Sequence, residues 1–277
     1  MRTHFDKQLD KLNDELIEMG SMIEKAIEHT IKALVTQDID LANYVIESDE
    51  QVNRQERDIE SLCLKLLLQQ QPVARDLRQI SSALKMITDM ERIGDHAADI
   101  SEIIVTLLRR NEPYIKHLDY IQNMAKETSV MLVGSVDAFV NRNQLQAAAV
   151  IEKDDVVDEL FHQVQTELVQ LIHDDPNCGE QATDLLMIAK YFERIGDHAT
   201  NISEWVIFSL TGEHVHGRLI REAEEEVHSY EGIGMDEETH ELAGENGGRC
   251  LAVLSCDALD AYRLCSWTGV LSGNRKQ

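Results

Sequence analysis

The sequence predicts an all-α fold of two tandem three-helix bundles, six long helices in all, followed by a C-terminal tail. Apolar residues recur at spacings of three and four over most of the chain, which is the period of an amphipathic helix. Only 3 prolines occur in the 277 residues, so few positions break this pattern. The heptapeptide Glu-Arg-Ile-Gly-Asp-His-Ala at residues 91–97 returns unchanged at residues 193–199, 102 positions later, which indicates an internal duplication.

Each helix is bounded by a turn signal or a proline. Pro72 suits the first turn of the third helix, because its missing N–H is harmless there, and Pro113 ends that helix and restarts the pattern. The six helices are expected at about residues 5–36, 39–70, 72–110, 114–140, 144–172 and 180–210. Three helices followed by three more, each trio ending in the repeated heptapeptide, predict bundles at residues 1–111 and 112–212.

The composition excludes several classes of protein. The formal net charge is −25, from 26 Lys plus Arg against 51 Asp plus Glu, so nonspecific attraction to nucleic acid or anionic lipid is unfavourable. No apolar run reaches the roughly 18 residues of a membrane span, and no apolar leader follows Met1. The 5 cysteines match no common zinc spacing. We therefore expect a cytoplasmic protein that binds no nucleic acid and does not span a membrane.

The composition changes after Gly212. Residues 213–277 carry 6 Lys plus Arg and 13 Asp plus Glu and are rich in glycine. Between residues 222 and 245 no apolar stripe is evident. Residues 213–277 are therefore predicted to form an acidic, glycine-rich and flexible tail.

The repeated heptapeptide begins a stripe of acids. At about 100° per residue, Glu91, Asp95, Asp99 and Glu102 fall within about 80° of rotation on one helix. The second copy places Glu193, Asp197, Asn201 and Glu204 in the same way. Like charges at these spacings cost a few tenths of a kcal/mol per pair. A positive group is therefore expected there, and the candidates are a metal ion, Arg92 with Arg194, or a basic partner.

The second helix of each trio supplies a further pair of oxygen-bearing side chains. Asp49 and Asn53 are spaced i, i+4, as are Asp154 and Asp158. If the second and third helices are antiparallel, these pairs could face the acidic stripe. Oxygen ligands without paired cysteines favour Mg²⁺, Mn²⁺ or Fe over a structural zinc. The alternative is a solvated acidic face that binds no metal.

Two glycines lie inside the repeated heptapeptides. Gly94 and Gly196 occupy helix interiors, where glycine costs about 1 kcal/mol relative to alanine. Their recurrence at one register predicts a close backbone approach or room for a ligand. His96 and His198 are rotated about 100° from the adjacent aspartates, so we expect them to pack rather than to bind metal.

The sequence offers little support for catalysis. A di-iron enzyme of the ferritin type needs two Glu-x-x-His helices, whereas the helical region contains only the pair Glu159 and His162. No glycine-rich phosphate loop or serine elbow is present. We expect a protein that is not an enzyme, with a di-metal carboxylate hydrolase or oxidase on a helical bundle as the alternative.

The repeated heptapeptide, together with residues 46–53 and residues 70–78, resembles the PhoU family over about residues 5–214. The resemblance implies two three-helix bundles in a cytoplasmic protein that usually forms a homodimer. It also implies a regulator of phosphate uptake and a negative regulator of the phosphate-starvation response. The implied partners are the ATPase subunit of the phosphate ABC transporter and the sensor histidine kinase of the phosphate two-component system.

The resemblance further implies multinuclear metal sites of Fe, Mn or Mg, with Zn also admitted. The implied ligands are Asp49, Asn53, Glu91, Asp95, Asp99, Asp154, Asp158, Glu193, Asp197 and Asn201. Asn53 and Asn201 depart from the family pattern, because an amide oxygen binds a cation more weakly than a carboxylate. No catalytic residue and no organic cofactor are implied. The tail has no counterpart in the family pattern.

Overall fold

The computed structural model describes residues 2–70, 73–110 and 119–215, and all of its longer elements there are α-helices, as predicted. The helices are α1 (Arg2–Thr36), α2 (Ile39–Gln70), α3 (Ala74–Arg109), α4 (Asp119–Val140), α5 (Gln144–Glu152), α6 (Asp154–Asp174) and α7 (Gly179–Thr211). A short 3₁₀ turn, Pro176–Cys178, precedes α7.

The helices form the core through apolar stripes of the predicted period. On α1, Leu12, Leu16, Met19 and Ile23 recur every three or four residues and are fully buried. Helices α1, α2 and α3 pack on one another, and α4, α5 and α6 pack with α7. Among the described helices, the most extensive pairing is between α3 and α7. The two helices that carry the repeated heptapeptide therefore lie side by side at the centre.

The prediction of a single helix over residues 144–172 is wrong, because the chain divides it into α5 and α6 at Lys153. The backbone tightens at this point, with the Lys153 N–H donating to the Val150 carbonyl at 3.1 Å and the Val156 N–H to the Lys153 carbonyl at 3.1 Å. The Lys153 ammonium pairs with Glu127 of α4 at 2.8 Å. As a result, Asp154 is the first residue of α6.

Several predicted features fall outside the described residues. These are Pro72, Pro113 and residues 216–277 of the predicted tail. Helix α3 begins at Ala74 after Val73, so it starts later than a helix with Pro72 in its first turn. The boundary predicted between residues 111 and 112 lies in the undescribed segment 111–118 and stays a prediction. None of the described helices has an apolar stretch long enough to cross a membrane.

Candidate functional site

In the first half of the chain, α2 and α3 approach each other at Gly94. A Cβ atom on Gly94 would lie 3.1 Å from Val52 Cγ1 and 3.4 Å from Asp49 Oδ1. Asp49 therefore lies against the backbone of the repeated heptapeptide. The predicted close backbone approach is confirmed.

The second half repeats this arrangement at Gly196. A Cβ atom there would lie 3.3 Å from Asp154 Oδ1 and 3.4 Å from Val157 Cγ1. An offset of 102 residues relates the α3 and α7 positions, and an offset of 105 relates α2 to α6. The two halves thus place an acid and a valine of one helix against the same glycine of the next.

We define two acidic centres from these contacts and from the charges around them. The first acidic centre comprises Asp49, Asn53, Glu56, Glu91, Asp95 and Asp99, and the second comprises Asp154, Asp158, Lys190, Glu193 and Asp197.

Acids crowd one another in the first acidic centre. Burial and then the negative charge of Asp95 raise the pKa of Asp49. Burial, followed by the charges of Asp95 and Glu56, raises the pKa of Glu91. Asn53 partly offsets this crowding, because its Nδ2 donates to Asp49 Oδ2 at 2.8 Å. The amide that departs from the family pattern thus holds the neighbouring carboxylate.

In the second acidic centre the crowding is strongest at Asp154. Burial and then the charges of Asp197 and Asp158 raise the pKa of Asp154 to about 6. A lysine also enters this centre, with Lys190 Nζ 2.5 Å from Glu193 Oε1. Asp158 and Asp197 lie at the exposed side of the centre.

The arginines of the heptapeptides do not serve as equivalent counter-charges. The positive charge of Arg92, which is exposed, opposes the rise in the pKa of Glu91 and of Asp95 without cancelling it. Arg194 instead lies with its guanidinium 5.7 Å from the centre of the Tyr191 ring. The acids keep an excess of negative charge.

The heptapeptide histidines meet where α3 packs on α7. The His96 and His198 rings are 5.5 Å apart between centroids. His198 Nδ1 lies 2.8 Å from Asp89 Oδ1, and Asn201 Nδ2 donates to the same oxygen at 3.3 Å. Asn201, one of the predicted ligands, therefore donates its amide hydrogen to an acid of α3.

The first copy makes a different contact at the equivalent place. The position that matches Asp89 is Tyr191, whose ring is 5.3 Å from that of His96. Asp99 Oδ2 lies 3.6 Å from His96 Nδ1. Burial and then the positive charge of His198 lower the pKa of His96. Both histidines pack between the halves, as expected.

The chemistry of both centres fits a hard or borderline cation. Three buried oxygens, Asp49 Oδ1, Asn53 Oδ1 and Glu193 Oε2, lack a hydrogen-bond partner in the structure. Such oxygens are what Mg²⁺, Mn²⁺ and iron prefer. Within the described residues, no three His, Cys, Asp or Glu side chains stand close enough together to enclose an ion as they are. A cation would have to draw acids of two helices together.

Three residues around these sites are absent from the sequence prediction. Glu56 lies one turn beyond Asn53 on α2, and Lys190 lies three residues before Glu193 on α7, so helical spacing alone could have suggested both. Asp89 carries no such signal, because its partners are more than 100 positions away.

The amino-acid sequence is similar to those of a known protein family. The sequence profile of the PhoU domain matches residues 16–104 and, a second time, residues 121–206. The chain is 39% identical over 215 residues to the phosphate-specific transport system accessory protein PhoU homolog of Clostridium acetobutylicum. That match covers 77% of this chain and 97% of the relative. The homolog of the same name from Aquifex aeolicus is 37% identical over 216 residues, with 78% and 97% covered.

Solved structures give the same result. The crystal structure of PhoU from Pseudomonas aeruginosa matches with a TM-score of 0.71 at 32% identity, covering 76% of this chain and 100% of that one. The phosphate transport system regulatory protein PhoU from Streptococcus pneumoniae matches with a TM-score of 0.69 at 28% identity, covering 76% and 99%.

Proposed function

This chain belongs to the PhoU family, and from that premise we infer that it is an accessory regulator of phosphate transport. The relatives named above are accessory or regulatory proteins of phosphate transport systems. The structural observation that supports the proposal is a contact that occurs in both halves of the chain. Asp49 lies against Gly94, and Asp154 lies against Gly196.

The proposed mode of action is that of a non-enzymatic adaptor. It binds the ATPase subunit of the phosphate ABC transporter and the sensor histidine kinase, and it lowers the phosphate-starvation response when phosphate is plentiful. A net charge of −25 supports docking on basic patches of such partners. The adaptor acts in the cytoplasm as a homodimer and reaches the membrane only through these partners. The accessory and regulatory names of its relatives favour this role over a di-metal enzyme.

The adaptor is proposed to hold divalent or iron-type metal in both acidic centres. A bound cation would supply the positive charge that the crowded carboxylates lack. In the first acidic centre, Asp49 of α2 and the pair Glu91 and Asp95 of α3 would hold it, with Asp99 extending the site. In the second, Asp154 and Asp158 of α6 would face Glu193 and Asp197 of α7. Because the acids come from two helices, binding would fasten those helices to each other.

Deletion of the gene tests the regulatory role. Phosphate uptake and alkaline phosphatase activity are measured in cells grown at high phosphate, and both are expected to rise. Unaltered values would contradict the proposal. Return of the gene with Asp95→Ala and Asp197→Ala is expected to leave both activities high. Return with Asp58→Ala, a change to an exposed acid of α2, should restore them.

Elemental analysis tests the metal role separately. The purified protein is analysed before and after incubation with Mn²⁺ or Fe²⁺, and more than trace metal is expected. The doubly substituted Asp95→Ala, Asp197→Ala protein should hold much less. A protein that contains no metal under either condition would remove this part of the proposal and leave the adaptor role to be judged by the deletion.

A further inference from the structure

The two acidic centres occupy equivalent positions but carry different charges. Four substitutions between the copies affect these positions. Asn53 against Asp158 and Asp99 against Asn201 exchange an amide and a carboxylate in opposite directions and leave the formal charge unchanged, so the other two produce the difference. The second centre has Lys190 where the first has Thr88, at the offset of 102 residues between α3 and α7. It has Phe161 where the first has Glu56, at the offset of 105 between α2 and α6. One centre has therefore gained a cation and lost an acid relative to the other.

Lys190 interacts with the acids of its centre and not only with solvent. Its Nζ is 2.5 Å from Glu193 Oε1 and 5.3 Å from the centre of the Phe161 ring. The ammonium thus occupies an oxygen of a predicted metal ligand of its centre.

The first centre has no such ammonium. Thr88 is exposed and uncharged, and the Glu56 carboxylate adds to the negative charge around Glu91. Arg92 offsets part of the charge of Glu91 and Asp95, whereas Arg194 lies against the Tyr191 ring. The first centre still sets five carboxylates against that one arginine, and the second sets four against Lys190. The first centre therefore has the larger excess of negative charge.

We propose that Lys190 is a built-in cation that makes the second acidic centre the weaker of the two for divalent metal, so that the first centre fills first. This inference rests on the metal role proposed above. An ammonium in contact with Glu193 occupies an oxygen that a metal ion would use. Its positive charge also repels a divalent cation bound nearby. Glu56 strengthens the first centre by the opposite effect. The two halves would then respond to different concentrations of the same ion.

Variants that leave one centre intact allow each affinity to be measured. Asp95→Asn disables the first centre and Asp197→Asn the second, and Mn²⁺ is titrated into each protein by calorimetry. The second centre alone is expected to bind Mn²⁺ at least about tenfold more weakly than the first, an effect of the size expected for one nearby unit charge.

The exchange of residues between the copies is the decisive measurement. In the Asp95→Asn protein, Lys190→Gln should tighten Mn²⁺ binding about tenfold, whereas Lys190→Arg, which keeps the charge, should not. In the Asp197→Asn protein, Thr88→Lys should weaken binding by a similar factor. Lys11→Gln is the matched control, because Lys11 pairs with Glu15 at 3.5 Å on α1, and it should change neither affinity.

The possible results distinguish failure of this inference from failure of the proposed metal role. Equal Mn²⁺ affinities at the two centres, with no response to Lys190→Gln or Thr88→Lys, would overturn the inference and leave the metal role standing. Absence of Mn²⁺ binding in the unmodified protein as well as in both single-centre variants would overturn the metal role, and the inference with it.

Discussion

The mid-helix glycines Gly94 and Gly196 determine how closely two helices approach. Alanine in a helix interior normally gains about 1 kcal/mol over glycine. Here the added Cβ of Gly94→Ala would lie 3.1 Å from Val52 Cγ1, and Val52 is a buried, β-branched side chain with little freedom to move. Overpacking costs about 1–3 kcal/mol, so Gly94→Ala is expected to lower the free energy of unfolding by about 1 kcal/mol in urea denaturation.

Gly179 provides the matched control for this prediction. It lies at the start of α7, and a Cβ atom there would meet nothing within 4 Å. Gly179→Ala should therefore raise the free energy of unfolding by about 0.5 kcal/mol, through the reduced entropy of the unfolded chain. Equal gains for Gly94→Ala and Gly179→Ala would show that the close approach at Gly94 is not real.

Asp154 makes the stability of the metal-free protein depend on pH. Its pKa is raised from 3.8 to about 6 by burial and by the charges of Asp197 and Asp158. Because the folded state then binds a proton more tightly than the unfolded state, this group lowers stability above about pH 6, and the penalty fades as the pH falls towards 4. After allowance for the half-exposed position of the side chain, the penalty at pH 8 is about 1 kcal/mol.

Asp154→Asn is therefore expected to stabilise the EDTA-treated protein by about 1 kcal/mol at pH 8 and by much less at pH 4. Urea denaturation at the two pH values measures the difference. Asp58→Asn, at an exposed acid of α2, is the control and should show no such dependence. A gain for Asp154→Asn that is the same at both pH values would contradict the assignment of the penalty to its charge.

At the scale of the helices, the sequence predicts those helix bounds that follow from the local spacing of apolar residues. Helix α2 has the predicted bounds of residues 39–70, because its apolar spacing is uninterrupted. The division between α5 and α6 was not predictable, since lysine is a good helix former. At the division Lys153 pairs with Glu127 on another helix, a contact that no local pattern shows.

The same limit applies to the candidate site. The i, i+4 pairs and the repeated stripe indicated which helix faces carry acids, and Asp49 and Asp154 do lie against the glycines of the next helix. The direction of Asn201 depends instead on how α3 packs against α7, because its partner, Asp89, is 112 positions away. Spacing along one helix cannot supply such a contact.

The junction of α3 with α7 depends on Asp89. Its Oδ1 accepts from Asn201 and pairs with His198 Nδ1, and the Asp89 and His198 side chains are only 16% and 19% exposed. Removal of such a partner leaves polar groups unsatisfied, at a cost of about 1–2 kcal/mol. Asp89→Ala is expected to lower the free energy of unfolding by that amount.

Two variants control the Asp89 measurement. Asp89→Asn keeps an acceptor oxygen and should lose less stability than Asp89→Ala. Asp58→Ala removes an exposed acid of α2 and should leave stability within about 0.5 kcal/mol. If Asp89→Ala proved as mild as Asp58→Ala, the hydrogen bonds of Asp89 would not contribute to holding the halves together.

Across the whole molecule, the duplication gives two halves with one plan and unequal detail. Each half places an acid of one helix against the glycine of the repeated heptapeptide on the next. At the junction the copies diverge, with a His-Asp pair on one side and a His-Tyr contact on the other. A duplicated chain that keeps its packing residues and changes its charged ones can hold two related sites with different properties.

The second of the two family matches ends inside α7, at residue 206. The Clostridium acetobutylicum relative is covered over 97% of its length by a match of 215 residues. A chain that ends after Val215 should therefore fold, with the helical circular dichroism signal retained and a thermal midpoint within a few degrees of that of the full chain. A chain that ends after Ser203 loses the buried Val206 and Ile207, each worth about 1.5–3 kcal/mol, and should melt well below both. Similar melting of the two truncated chains would show that the end of α7 adds little to the core.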